Sequence, residues 1–168
     1  SRAFHRRPCR LSIEDLSQEE LRLGGLRIDP KTNIGSRVTY FNKLQIKNLK
    51  TKNATIVEVK GLPSNPKLTN FSWSPEQKKI ALTNTTSKGV EIWILDIASA
   101  TASKIVSDKA NANVGDVINW FADGQALLVK IVSEKRLELI NTKTAVPSGP
   151  TISVNDGKKA QNRTYQDL

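Results

Sequence analysis

One histidine, His5, and one cysteine, Cys9, stand in a chain of 168 residues, and His5 lies in a leader crowded with Arg2, Arg6, Arg7 and Arg10. A Ser-His-Asp hydrolase needs a positioned imidazole as general base and a serine raised on a G-x-S-x-G elbow. No such elbow occurs, and Ser148 sits inside Pro147-Ser148-Gly149-Pro150, which is a turn sequence. A complete hydrolytic site is therefore not expected within these residues, and no catalytic residue is assigned. One His with one Cys cannot form a structural zinc site, no acidic run has calcium-loop spacing, and glycine-rich phosphate loops are missing, so no metal or cofactor is expected.

What remains with chemistry is guanidinium. Arg27, Arg37 and Arg163 are isolated arginines at expected strand starts, suited to forked pairing with carboxylates and so to docking acidic peptides. Surface or inter-sheet salt bridges are the more ordinary use of such side chains. The net charge of +10 raises nucleic acid as a partner, but the lysines are scattered over turns and strand ends and only the leader arginines cluster. Neither nucleic acid nor a membrane is expected, since no run approaches a membrane span. Four Asn-x-Ser/Thr triplets, at Asn53, Asn70, Asn84 and Asn162, read as incidental in a chain rich in Asn and Thr. The basic leader lacks the apolar core of a signal peptide and there is no initiator Met, so the chain reads as a mature, trimmed or excised segment.

Strands must position these residues. Between residues 68 and 106 four short apolar or alternating runs (69–73, 79–83, 90–96 and 102–106) are separated by Ser-Pro-Glu-Gln, Asn-Thr-Thr-Ser-Lys-Gly and Ala-Ser-Ala-Thr. That is strand-turn grammar for one four-stranded antiparallel sheet, with residues 90–96 buried on both faces. The chain also aligns on itself at an offset of 47 residues. Phe71-Ser-Trp73 falls over Ile118-Asn-Trp120, and Ile80-Ala-Leu82 over Leu127-Leu-Val129. Pro75 presets φ for the first copy's turn and Gly124 supplies a positive φ in the second. An offset of this size suits β-propeller blades, although a sandwich or barrel meander would also repeat strands.

The expected fold is thus all-β, a partial β-propeller of about three four-stranded antiparallel blades with one short N-terminal helix. Ser17-Gln18-Glu19-Glu20 is a capping box, with Leu16 and Leu21 as its staple and Gly24-Gly25 as the stop, which predicts a helix of about two turns. Residues 1–25 form the leader and helix, 26–62 and 68–106 are blades, 114–154 is an incomplete blade, and 155–168 opens another element. About three blades cannot close a ring, so exposed blade faces would favour self-association.

Several segments resemble the N-terminal propeller of glutamyl endopeptidase-like serine peptidases of the prolyl oligopeptidase family. They are Glu20-Leu-Arg-Leu-Gly-Gly-Leu-Arg-Ile-Asp29, Ser36-Arg-Val-Thr-Tyr40, Asn70-Phe-Ser-Trp-Ser-Pro75, Val90-Glu-Ile-Trp-Ile-Leu-Asp96, Val146-Pro-Ser-Gly-Pro150 and Arg163-Thr-Tyr-Gln-Asp-Leu168. The resemblance implies a longer parent whose C-terminal α/β-hydrolase domain carries the catalytic triad, with this segment gating peptide access to it. It also implies an exported bacterial or a plastid setting. Glu76-Gln77 replaces the usual Asp-Gly of one turn, leaving that turn's conformation open. The alternative is a free-standing propeller-like module for protein interaction.

Overall fold

The computed structural model describes residues 2–8, 13–48 and 56–137, and its secondary structure is almost entirely antiparallel β. The strands are β1 (Arg2–Pro8), β2 (Leu21–Leu23), β3 (Leu26–Asp29), β4 (Ile34–Gly35), β5 (Phe41–Asn48), β6 (Ile56–Glu58), β7 (Leu68–Trp73), β8 (Lys79–Thr85), β9 (Val90–Asp96), β10 (Thr101–Ala110), β11 (Ile118–Trp120) and β12 (Leu127–Val129). They form a seven-stranded sheet of order β1-β5-β7-β8-β9-β10 with β6 beside β5, a three-stranded sheet β2-β3-β4, and a two-stranded sheet β11-β12.

The four runs expected between residues 68 and 106 are the meander β7 to β10, each strand antiparallel to the next. Strand β9 is enclosed on both faces because its alternate residues enter different clusters. Trp93 and Leu95 join Ile80 and Leu82 of β8, with Leu44 and Ile46 of β5 in the same cluster. Val90 and Ile92 join Ala81, Ile34, Tyr40, Val117 and Ile118, against which Trp120, Leu127 and Val129 pack. Strand β5 touches β7 by a single residue pair, Phe41 with Leu68, and sends Leu44 and Ile46 into the same cluster. The central sheet therefore has cover on both sides, each side worth roughly 1.5–3 kcal/mol per large apolar residue buried.

The repeat at 47 residues is a repeat of geometry. Trp73 pairs with Ile80 across β7 and β8, and Trp120 pairs with Leu127 across β11 and β12. Ser74 N–H donates to Lys79 O at 2.9 Å, and Phe121 N–H to Ala126 O at 3.0 Å. Gln77 N–H donates to Ser74 O at 2.8 Å, and Gly124 N–H to Phe121 O at 2.9 Å. Gln77 adopts φ +56°, matching +68° at Gly124, so the substituted turn keeps its conformation and a non-glycine residue carries the left-handed backbone. The copies adjoin as well: Trp120 Nε1–H donates to Ser72 O at 3.1 Å.

The helix expected after Ser17 is not there. A single turn, α1 (Ile13–Leu16), ends before Ser17, and Leu21–Leu23 is a strand paired with β3. Gly24 (φ +53°) and Gly25 (φ +84°) form the two-residue loop of a hairpin with the type I′ pattern, whose twist suits paired strands. Two flanking segments that alternate, Leu-Arg-Leu and Leu-Arg-Ile-Asp, outweigh a capping motif followed by too few residues to sustain a helix.

Candidate functional site

The hairpin places its arginines together. Register sets Arg22 directly opposite Arg27, so two cations share one face of the β2–β3 pair. Such a like-charge pair needs a counter-ion, and Glu20, just before β2, provides it. Its Oε1 accepts from Arg22 Nε at 2.9 Å and from Arg27 Nη1 at 3.4 Å, while Oε2 accepts from Ser36 Oγ at 2.7 Å and lies 3.5 Å from Arg37 Nε. Ser36 is itself fixed by its N–H donating to Arg27 O at 2.9 Å.

Glu20 keeps 15% of its side-chain surface, whereas Arg22, Arg27 and Arg37 keep 69%, 47% and 54%, so the carboxylate is enclosed and the cations face water. The Ser36 hydroxyl, then Arg22 and Arg27, lower the Glu20 carboxyl to about 2 against the opposing effect of burial. The group stays ionised at any physiological pH. One negative charge among three guanidinium groups leaves the cluster net cationic, with N–H groups beyond those that Glu20 engages.

Of the arginines singled out from sequence, Arg27 and Arg37 meet at Glu20, and Arg163 lies outside the described residues. The salt-bridge use expected as the ordinary one is present. Glu20 and Arg22 are not singled out from sequence because the capping box predicts a helix for both; the Gly-Gly pair between alternating segments is the signal for them. Near this sheet Asp29 organises the next turn, accepting from Lys31 N–H at 2.9 Å and from Thr32 Oγ1 at 2.7 Å. Arg136 joins the same turn, donating to Asn33 Oδ1 and, at 3.3 Å, to Pro30 O.

A second polar group is internal to the central sheet. Glu91 accepts from Asn84 Nδ2 at 2.9 Å, Trp93 Nε1 at 2.8 Å and Lys104 Nζ at 2.9 Å. Burial pushes its carboxyl up, but these three donors together outweigh burial and hold it below the ordinary range. Asn84 also accepts from Lys67 N–H at 2.9 Å, tying β7's approach to β8 and β9. The carboxylate is 8% exposed and its partners come from β8, β9 and β10, so this group fastens strands to one another. Asn84 is buried, which removes it as a glycan acceptor. Among the described residues no group of three His, Cys, Asp or Glu side chains is placed to hold a metal.

Comparison with known proteins places the chain beside two plant proteins. It is 30% identical to a protein of Arabidopsis thaliana named "Probable glutamyl endopeptidase, chloroplastic", over 98% of this chain and 18% of the relative. It is 27% identical to the protein of the same name from Oryza sativa subsp. japonica, over 98% of this chain and 19% of that relative. The chain is distantly related to a segment of these proteins. It spans less than a fifth of their length. No protein-family profile matches the chain and no solved structure does.

Proposed function

We propose that the chain is a non-catalytic β-propeller segment of a serine peptidase of the prolyl oligopeptidase family, gating peptide access to a hydrolase domain encoded beyond it. The observation that carries this reading is the 47-residue repeat, whose strand register and turn hydrogen bonds recur in both copies, in a chain related along 98% of its length to proteins named as endopeptidases. In this reading residues 26–62 and 68–106 supply blades and 114–137 begins another; the rest of the stretch expected at 114–154, and the element expected at 155–168, lie outside the described residues. The one histidine of the chain, His5, has no G-x-S-x-G serine to serve, so the reactive serine belongs to the hydrolase domain. Arg27 and Arg37, with Arg163, are the groups offered to peptides on their way in. An exported bacterial enzyme or a plastid enzyme is the setting that the resemblance and the relatives' names favour.

A propeller over an active site acts by exclusion: an extended peptide passes and a folded protein does not. The complete gene product should react with a fluorophosphonate probe at a serine outside residues 1–168. It should cleave a short unstructured glutamyl peptide at least about 100-fold faster than the same sequence held in a folded protein, since a folded substrate must first open locally. Equal rates on both substrates, or labelling confined to residues 1–168, would overturn the reading.

A further inference from the structure

The geometry points to a docking site for an extended acidic peptide along β2, held by backbone pairing to the strand's outer edge and by Arg22 and Arg27. Three observations converge. Among the described residues β2 ends its sheet; Leu21 and Leu23 turn their backbone groups to β3, and Arg22, opposite Arg27 whose O accepts from Ser36 N–H on the other side, turns its N–H and C=O to the outer edge, where no strand lies beside them. Arg22 and Arg27 are opposite one another on one face of the hairpin, a pairing of like charges that costs stability unless anions neutralise it. Glu20 supplies one carboxylate to three arginines, and each arginine keeps about half or more of its side-chain surface in water.

A peptide added as a strand beside β2 lies about 5 Å from it and directs alternate side chains to the face that carries the arginines. A glutamate at such a position meets Arg22 first and, with its longer reach, the Arg27 guanidinium on the next strand. Guanidinium already engaged on one edge by Glu20 keeps its other N–H groups for a second, forked carboxylate. The ligand class is therefore an extended segment that sets a glutamate against Arg22; a lone carboxylate would lack the backbone half of the contact.

This inference rests on the reading of Arg27 as a peptide-facing group, but its test needs no peptidase activity, so the two fail separately. The full chain is titrated with a blocked peptide of alternating Glu and Thr, with its Gln counterpart and with glutarate, by fluorescence anisotropy or calorimetry. The Glu peptide should bind about ten-fold or more tightly than the Gln peptide, and glutarate more weakly still. Arg22→Gln and Arg27→Gln, both at exposed positions, should each weaken the Glu peptide by about ten-fold, whereas Lys43→Gln, the same charge change on β5, should leave it within about two-fold. Equal affinity for the Glu and Gln peptides, or equal loss in Lys43→Gln, would overturn the site in favour of diffuse attraction to a basic chain. Glutarate binding as tightly as the peptide would overturn strand addition. Unchanged melting temperatures in the arginine variants will show that lost binding is not lost folding.

Discussion

Gln77 and Gly124 occupy equivalent places in two copies of one turn, yet only one is glycine. A left-handed backbone costs an ordinary residue about 1 kcal/mol, so Gln77→Gly should raise stability by roughly 0.5–1 kcal/mol and Gly124→Gln should lower it comparably. Chemical denaturation of the pair reads both signs at once; the same sign in both would mean that the turns are not equivalent. Glu20 carries the pH dependence of the arginine cluster. Its folded-state value, about 2, lies below the ordinary 4.5, so its stabilising contribution is full above about pH 4.5 and drains away as pH falls toward 2. Thermal melts of Glu20→Gln should therefore lie below the wild type at pH 6 and converge with it by about pH 2, whereas a constant gap across that range would contradict the assignment. Glu91→Ala strips the acceptor from Trp93, Asn84 and Lys104 together, and should cost about 2–4 kcal/mol in a denaturation midpoint.

Elements with a clean period were legible. Strands β7 and β9 could be read almost to the residue, because alternation and turn chemistry agree there, whereas β8 and β10 run on past the expected ends at 83 and 106 to Thr85 and Ala110. The β2–β3 hairpin was not. Its capping box satisfies a local rule, and only pairing with residues 26–28 shows why extended backbone wins at Leu21–Leu23. The arginine site inherits that difficulty: Arg27 and Arg37 can be picked out by their isolation, but Glu20 and Arg22 become its members only once the hairpin folds. Close approach is equally invisible in sequence. At Gly61, with φ +86°, an added Cβ would stand 2.3 Å from Ala102 O, while at Gly25, with φ +84°, it would meet nothing within 4 Å. Gly61→Ala should thus cost about 3 kcal/mol and Gly25→Ala about 1, a difference that measures the strand contact after subtracting the shared backbone strain.

At the scale of the molecule, the apolar residues of β7 to β10 cluster on one side with Leu44 and Ile46 of β5 and on the other with residues of β11 and β12, and the two repeats touch through Trp120 and Ser72. Stacked sheets of one repeat are how a propeller buries blades whose broad faces are both apolar. Phe121, Leu128 and Ile131 remain exposed around the second repeat, so the isolated chain should self-associate; sedimentation showing one monomer across a hundred-fold concentration range would contradict this. The most direct test of the whole account is an experimental structure of the complete gene product. The account predicts a ring in which the sheet begun by Ile118 superimposes on β7 to β10, Trp120 on Trp73, with the opening facing a hydrolase serine. A closed barrel or sandwich holding those tryptophans in unlike surroundings, or a ring facing no such serine, would contradict it.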